Sequence, residues 1–349
     1  MSSWLRSLIY LISQLRPCNN SPLFLLIFIL FMAKHISTSN AIATPTDTVY
    51  QPPMINGVSA SKVFIPQQEK NQTTPTHLYD YLIAHFDHIT AQEWQQRFHD
   101  RLILDASGQA LNLDSPYLAN QHIYYYRFLA NEIHVPFQEQ ILFENDDLLV
   151  VDKPHFLTIS PTGQYVQETL LVRLKKAKGY ADLSPIHRLD RETAGVVLFS
   201  KRPHTRGIYQ QLFAERQVQK TYHAIAAYRA ALKFPCQVAL CMEKGDPFYT
   251  MRVVEGPINS QTNIQLLQHD QKWALYELKP HTGKQHQLRL HLNWLNIPIQ
   301  HDPFYPIVAH KAADDFSNPL QLLAKKIEFF DPVSKQAMQF SSEQCLTLP

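Results

Sequence analysis

Glycine is scarce, 9 residues in 349 against 23 prolines, which excludes collagen-like repeats and Gly-rich linkers. Neither G-x-G-x-x-G nor G-x-x-x-x-G-K-[ST] occurs, so there is no Gly-rich backbone cradle for nucleotide phosphates. Cysteine is equally sparse: Cys18, Cys236, Cys241 and Cys345 form no C-x-x-C pair and no zinc-type spacing. They read as reduced thiols in a cytoplasmic protein. Excess charge is lacking too. With 32 basic and 30 acidic side chains, the surplus of two lies in residues 1–49, where Arg6, Arg16 and Lys34 face Asp47, and the rest of the chain is balanced. The run from Pro22 to Ala33 is 12 residues long, short of the roughly 20 that cross a bilayer, so no stable membrane association is expected. Flanked by Arg6, Arg16 and Ala41-Ile42-Ala43, it imitates a secretory signal. However, Lys34 and His35 interrupt the approach to the Ala-x-Ala, and Met32 offers a later translation start that would leave residues 1–31 outside the protein.

What is present is an ordinary globular composition, 45% hydrophobic and 18% charged, long enough for two or three domains. Residues 1–76 read as an N-terminal extension and polar, proline-bearing linker. Residues 77–136 read as a small accessory module in which LYDYLIAHF and AQEWQQRFHDRLI give two short helices and NLDSPYLANQHIYYYRF gives short strands. Residues 137–349 form the larger domain. ILFENDDLLVVDKP spells strand, acidic turn and apolar strand. YVQETLLVRLKKAK is an amphipathic helix with Leu170, Leu171 and Leu174 inward and its basic residues outward. VVLFSK, QKTYHAIAAY and KWALYELKP read as strands, and Pro203 to Arg216 as a helix. Thr282 to Gln285 has the pattern of a capping box opening a helix through Leu288, Leu292 and Leu295. Strands and helices mix without regular β-α-β alternation, so the fold class is α+β with a largely antiparallel sheet.

Charge, balanced overall, is uneven locally. Between Leu170 and Tyr222 there are 11 Lys and Arg against 4 Asp and Glu, enough to track a phosphate backbone or to form a solvated helix face. Within that stretch, PIHRLDRETAG (185–195) sets His187, Arg188, Asp190 and Arg191 immediately before the apolar strand VVLF. A loop pinned in this way presents reactive side chains rigidly, although an exposed polar loop has the same composition. Asp190 suits a nucleophile or a general base. A carboxylate in a water-excluding site needs a cation to stay ionised. Arg289 is a candidate partner, lying beside Leu288 and Leu292 where a solvated arginine is poorly placed. Tyr222 is either strand packing or a stacking platform for an extruded base. His281, His286 and His291 recur every five residues, which on a helix turns each about 140° from the last; with no H-E-x-x-H present, no metal site is expected. No G-x-S-x-G is found, which removes the usual serine-hydrolase elbow.

HRLDRETAG with VVLFSK, KTYHAIA, KPHTGKQHQLRLHLNWLNIPIQHDPFYP and the opening ILFENDDLLVVDKP together resemble the RluA-type RNA pseudouridine synthases, in family order over residues 138–345. The resemblance implies the pseudouridine synthase fold, a mixed, largely antiparallel sheet with flanking helices preceded by a small α+β module. It implies an isomerase that needs no cofactor and no metal, acting on structured ribosomal or transfer RNA. It makes Asp190 the catalytic aspartate, Tyr222 the base-stacking tyrosine and Arg289 the arginine paired with the aspartate. Arg188, with Arg191 and Lys220 beside it in the basic stretch, would contact RNA. Thr193-Ala194-Gly195 stands where the family usually has Thr-Ser-Gly, and Gly283-Lys284-Gln285-His286-Gln287 replaces Gly-Arg-Thr-His-Gln. His301-Asp302-Pro303-Phe304-Tyr305-Pro306 lacks both glycines of Gly-Asp-x-x-Tyr-Gly, and Leu322-Leu323-Ala324 stands for Leu-His-Ala. None of these departures touches the aspartate, tyrosine or arginine. Residues 77–130 resemble the small alpha-L RNA-binding domain that often precedes this catalytic domain. The competing reading is a non-catalytic RNA-binding protein using the same basic surface.

Overall fold

A computed structural model describes residues 50–67, 75–127, 129 and 132–349. The apolar run 22–33 and Met32 lie outside the described residues, as does Cys18; the other three cysteines are free thiols.

The first layer is a small α+β unit. Strands β1 (Ser61–Ile65), β2 (Ile103–Leu104) and β3 (Gln121–Tyr125) form an antiparallel sheet in the order β1-β3-β2. It is covered by α1 (Leu78–His85) and α2 (Ala91–His99). Thr90 and Glu93 close α2 with a reciprocal capping box. The core is Ile65, Leu78, Leu82, Trp94, Phe98, Ile103 and Ile123. The composition of residues 61–65 suggests linker, but their alternation buries Ile65 against that core and pairs all five residues with β3. The module therefore begins before residue 77. Upstream of β1, Val58 packs on Val166 and Val172, so this stretch is packed structure rather than tether.

The larger domain is one mixed sheet of eleven strands. Its path is β10 (Met251–Val254), β9 (Cys236–Lys244), β11 (Ser260–His269), β12 (Trp273–Pro280), β8 (Gln219–Ala227), β13 (Leu322–Phe330), β7 (Ala194–Ser200), β5 (Leu148–Lys153) and β4 (Gln140–Glu144). β14 (Ala337–Ser341) pairs with β13, and β6 (Ser184–Pro185) with β7. Every pairing is antiparallel except β13 with β7. The expected α+β class with a largely antiparallel sheet is what the chain adopts.

β5 and β7 are buried along their whole length, as continuous apolar runs must be when both sheet faces are covered. Leu149, Val151, Val197 and Phe199 meet α3 (Leu170–Lys178) on one face. Leu148, Val150, Val196 and Leu198 meet α4 (Pro203–Ala214) on the other. Thr169 caps α3 by accepting from the Val172 N–H, and Gly179 ends it in the left-handed conformation at φ 72°. Not all of its basic residues face outward: Lys175 is buried and donates to the Ser59 hydroxyl at 2.9 Å.

α5 (Gln287–Trp294) buries Leu288 and Leu292 against β8, β11 and β12. It starts later than the Thr282–Gln285 pattern suggests. Gln287, not Gln285, reaches back, accepting from the Thr282 hydroxyl at 2.6 Å and the Lys284 N–H at 3.1 Å.

Candidate active site

The catalytic candidates converge where β7, β13 and β8 run side by side. Ala324 of β13 is opposite Gly195 of β7 on one side and Tyr222 of β8 on the other. Gly195 has φ 113°, and a Cβ there would stand 2.2 Å from the Ala324 carbonyl oxygen, so only glycine lets the strands approach this closely. That fixes the end of the 186–193 loop one strand away from the tyrosine.

Three anchors hold the loop. His187 stacks on Phe213 at 4.7 Å, and its Nε2 accepts the Leu198 N–H at 3.1 Å. An N–H can only donate, so this nitrogen is unprotonated, and burial lowers the ring to about 3. Lys153 is completely buried and gives its three protons to the carbonyls of Pro154, Leu157 and Arg191 at 2.8–3.1 Å. His155 Nδ1 donates to the Glu192 carbonyl at 2.6 Å.

Asp190 emerges from this frame with its side chain 22% exposed. Its Oδ2 accepts from Arg289 Nη1 at 3.3 Å and lies 3.7 Å from His286 Nε2. Arg289, at 1% exposure, is itself held by Asp302: Nε donates to Oδ2 at 2.8 Å and Nη2 to Oδ1 at 2.6 Å. Phe304 and Tyr305 lie 4.8 and 5.5 Å from the guanidinium carbon. Burial opposes the charge on Arg289, but Asp302, Asp190 and Glu192 outweigh it and keep the guanidinium protonated. Asp302 also accepts the Phe304 and Tyr305 N–H groups. His301, where the family motif has its first glycine, keeps a left-handed backbone at φ 61°.

Asp190, Tyr222 and Arg289 line one open cleft of about 830 Å³ with His187, Arg188 and Lys220. Tyr222 is half-buried between two hydrophobic clusters, and its hydroxyl is pushed well above the usual phenol range by burial and by the charge of Asp190. Arg188 is exposed at the rim. Lys220 is partly buried, which lowers its pKa, with Arg216 adding to the shift. Arg191 does not line this cleft. Its guanidinium lies over Phe156 and Tyr165, pairs with Glu192 at 3.3 Å and donates to the Ala313 carbonyl. The basic stretch is correspondingly narrower than its sequence count. Arg173, Lys178, Lys201 and Arg202 are committed to Glu168, Glu139, Glu144 and Asp146. Arg188, Arg216, Lys220 and Lys284 are the cations at the cleft besides Arg289.

In the sequence Asp302 has no marked role, and His286 stands out only as one of three regularly spaced histidines. Asp302 stands in the HDPFYP segment already aligned with the family, but nothing in a lone loop carboxylate reveals that it grips an arginine on α5. Among the described residues, no group of three or more His, Cys, Asp or Glu is placed to hold a metal ion.

Comparison with known proteins gives the class. Residues 147–294 match the family described as RNA pseudouridylate synthase. The chain is 29% identical to the dual-specificity RNA pseudouridine synthase RluA of Vibrio cholerae over 56% of its own length and 78% of that protein. It is 30% identical to the mitochondrial tRNA pseudouridine(32) synthase of Saccharomyces cerevisiae over 48% of its own length. It spans 37% of the length of that yeast protein. The solved structure of human RNA Pseudouridylate Synthase Domain Containing 1 aligns with a TM-score of 0.48 at 20% identity, covering 59% of this chain and 84% of that one. The chain carries an RNA pseudouridylate synthase domain, that of an isomerase family, and is a homologue of the RluA-type pseudouridine synthases.

Proposed function

We propose that this protein isomerises a uridine in structured ribosomal or transfer RNA to pseudouridine, with Asp190 as the catalytic carboxylate. The observation that carries the reading is the convergence of Asp190, Tyr222 and Arg289 in one open cleft with basic residues at its mouth. In the reaction the bond from ribose C1′ to N1 of the base breaks, the base turns, and C1′ bonds to C5. C5 gives up its proton and N1 gains one, so atoms and charge balance without an oxidant, reductant or hydrolytic water.

Each residue has a role that its position supports. Asp190 serves as an anion facing the sugar or the ring, whether it attacks C1′ or C6 or removes a ribose proton. Arg289, locked by Asp302, keeps that anion charged when substrate displaces water. Tyr222 offers its ring face to the flipped base. Flipping costs least in a loop or bulge, where the base is already unpaired. Arg188, Arg216, Lys220 and Lys284 suit the phosphates on either side. Arg191, tied to Glu192 and two aromatic rings, serves to shape the loop. The module preceding the large sheet is read as an accessory RNA-binding domain of alpha-L type. A cytoplasmic location belongs to the same reading; no described helix is long and apolar enough to cross a membrane.

The test is tritium release from transfer and ribosomal RNA transcripts carrying 5-tritiated uridine. Wild type is expected to release tritium and Asp190→Ala to release none while still binding RNA. Absence of release from wild type on both RNA classes, with binding intact, would favour the non-catalytic RNA binder. Mapping pseudouridine in total RNA with and without the protein names the site.

A further inference from the structure

His286 does something other than start a helix. It occupies the N-cap position of α5, yet its side chain makes no capping hydrogen bond. Its backbone lies at φ 51°, in the left-handed region that a non-glycine residue enters at a cost. The ring is 5% exposed and packs against Phe304 and Tyr305. Its Nδ1 is 3.0 Å from the Tyr305 hydroxyl, and that oxygen already accepts the Met251 N–H at 2.8 Å. The hydroxyl proton is free to go to Nδ1, and in that arrangement the neutral ring carries its proton on Nε2, the nitrogen 3.7 Å from Asp190 Oδ2. Burial, partly offset by Asp190, lowers the pKa of the ring, which agrees with a neutral donor. A contact of 3.7 Å is longer than a hydrogen bond, but such contacts are often loose in an empty site and tighten when substrate arrives.

We propose that His286 is a positioning residue for Asp190, a second N–H donor beside Arg289 whose tautomer is set by the chain Met251 N–H to Tyr305 hydroxyl to His286 Nδ1. The inference rests on the pseudouridine synthase reading and deepens it. Arg289 reaches Asp190 through one nitrogen while Asp302 holds its other two. One donor leaves the carboxylate free to swing about that contact; a second fixes its orientation toward the cleft.

Two substitutions make opposite predictions. Glutamine places an amide N–H where His286 Nε2 lies but does not favour a left-handed backbone. Asparagine favours that backbone but is too short to reach Asp190. A positioning role predicts that His286→Gln keeps most of kcat. It also predicts that His286→Asn loses on the order of 10- to 100-fold in kcat, the scale of a small misalignment, with KM and RNA affinity unchanged. If His286 merely supports the turn, the order reverses: Asn is the better variant, and any loss follows thermal stability. Nitrogen-15 NMR of the full-length protein with labelled histidine is the second readout and needs no activity. The Nε2–H tautomer is expected in wild type, and a loss of that preference in Tyr305→Phe; an Nδ1–H ring in wild type would overturn the proposal. Wild type inactive on tritiated RNA but showing the Nε2–H tautomer sinks the function and leaves this geometry standing. Active wild type with His286→Asn equal to His286→Gln sinks the positioning role alone.

Discussion

The two regions of this molecule are stabilised differently. Among the described residues, the module of residues 50–126 buries a single charged side chain, Arg97, beside a core of Ile65, Leu82, Trp94 and Ile123. The larger domain buries Asp152, Lys153, Lys175, Arg289 and Asp331. Apolar burial contributes about 25 cal/mol per Å² wherever it occurs and specifies little beyond shape. A buried ion is costly unless it is paired or fully hydrogen-bonded, and once held in either way it fixes direction. Lys153 ties down the loop of Asp190, Arg289 lies between Asp190 and Asp302, and Asp152 binds the Ser342–Gln344 tail through four contacts of 2.7–2.9 Å. The module is held by packing, the cleft by packing plus charge.

The sharpest way to break that contrast is Asp302→Asn. It removes a charge from a fully buried pair and leaves Arg289 facing an amide, so a stability loss of about 3–5 kcal/mol is expected, as for other broken buried pairs. Activity should fall with it. Chemical denaturation together with tritium release measures both, and loss of neither would show that the pair is ornamental. In the module, Leu82→Ala empties part of a fully buried site and should cost about 2–5 kcal/mol. Here kcat on tritiated RNA is expected to hold, and a fall in kcat while the larger domain stays folded would erase the distinction between the regions.

Acid gives the most graded effect. Burial holds His155 and His291 at about 4 and His187 at about 3, whereas an unfolded histidine takes its proton near 6.5. Between those values the unfolded chain binds more protons than the folded one. The stabilisation is therefore whole above pH ~6.5 and is lost as pH falls toward 4. For His291 the geometry agrees: its Nε2 bonds the Ser260 hydroxyl, while Nδ1 is buried with no acceptor for a second proton. Hydrogen exchange from pH 7.5 to 4.5 should show the 186–193 loop and α5 opening before α1 and α2. The reverse order would place the acid-sensitive groups in the module.

Much of this was legible in the chain. The apolar runs of β5 and β7, the helices α1 to α4 and the strands β8 and β12 follow from period and punctuation. The HRLDRETAG segment marked Asp190 because a polar loop abutting VVLF has nowhere to move. β1 escaped because five residues among prolines and polar side chains show too few apolar positions to stand out, and β9, β10, β11, β13 and β14 carry no local signal that singles them out. The count of basic residues from 170 to 222 overstated the free charge, since Glu144, which lies before that stretch, takes both Lys178 and Lys201.

Sequence alone therefore determined the class of fold, because period and punctuation are written in neighbouring residues, and it singled out the loop of Asp190 as a candidate. Tertiary structure alone decided that Arg289 is shared by two carboxylates, that His286 faces Asp190, and that Arg191 turns to an aromatic shelf. Those facts depend on the direction of side chains from strands and helices far apart in the chain, and burial gives weight to a charge only after folding has removed the water around it.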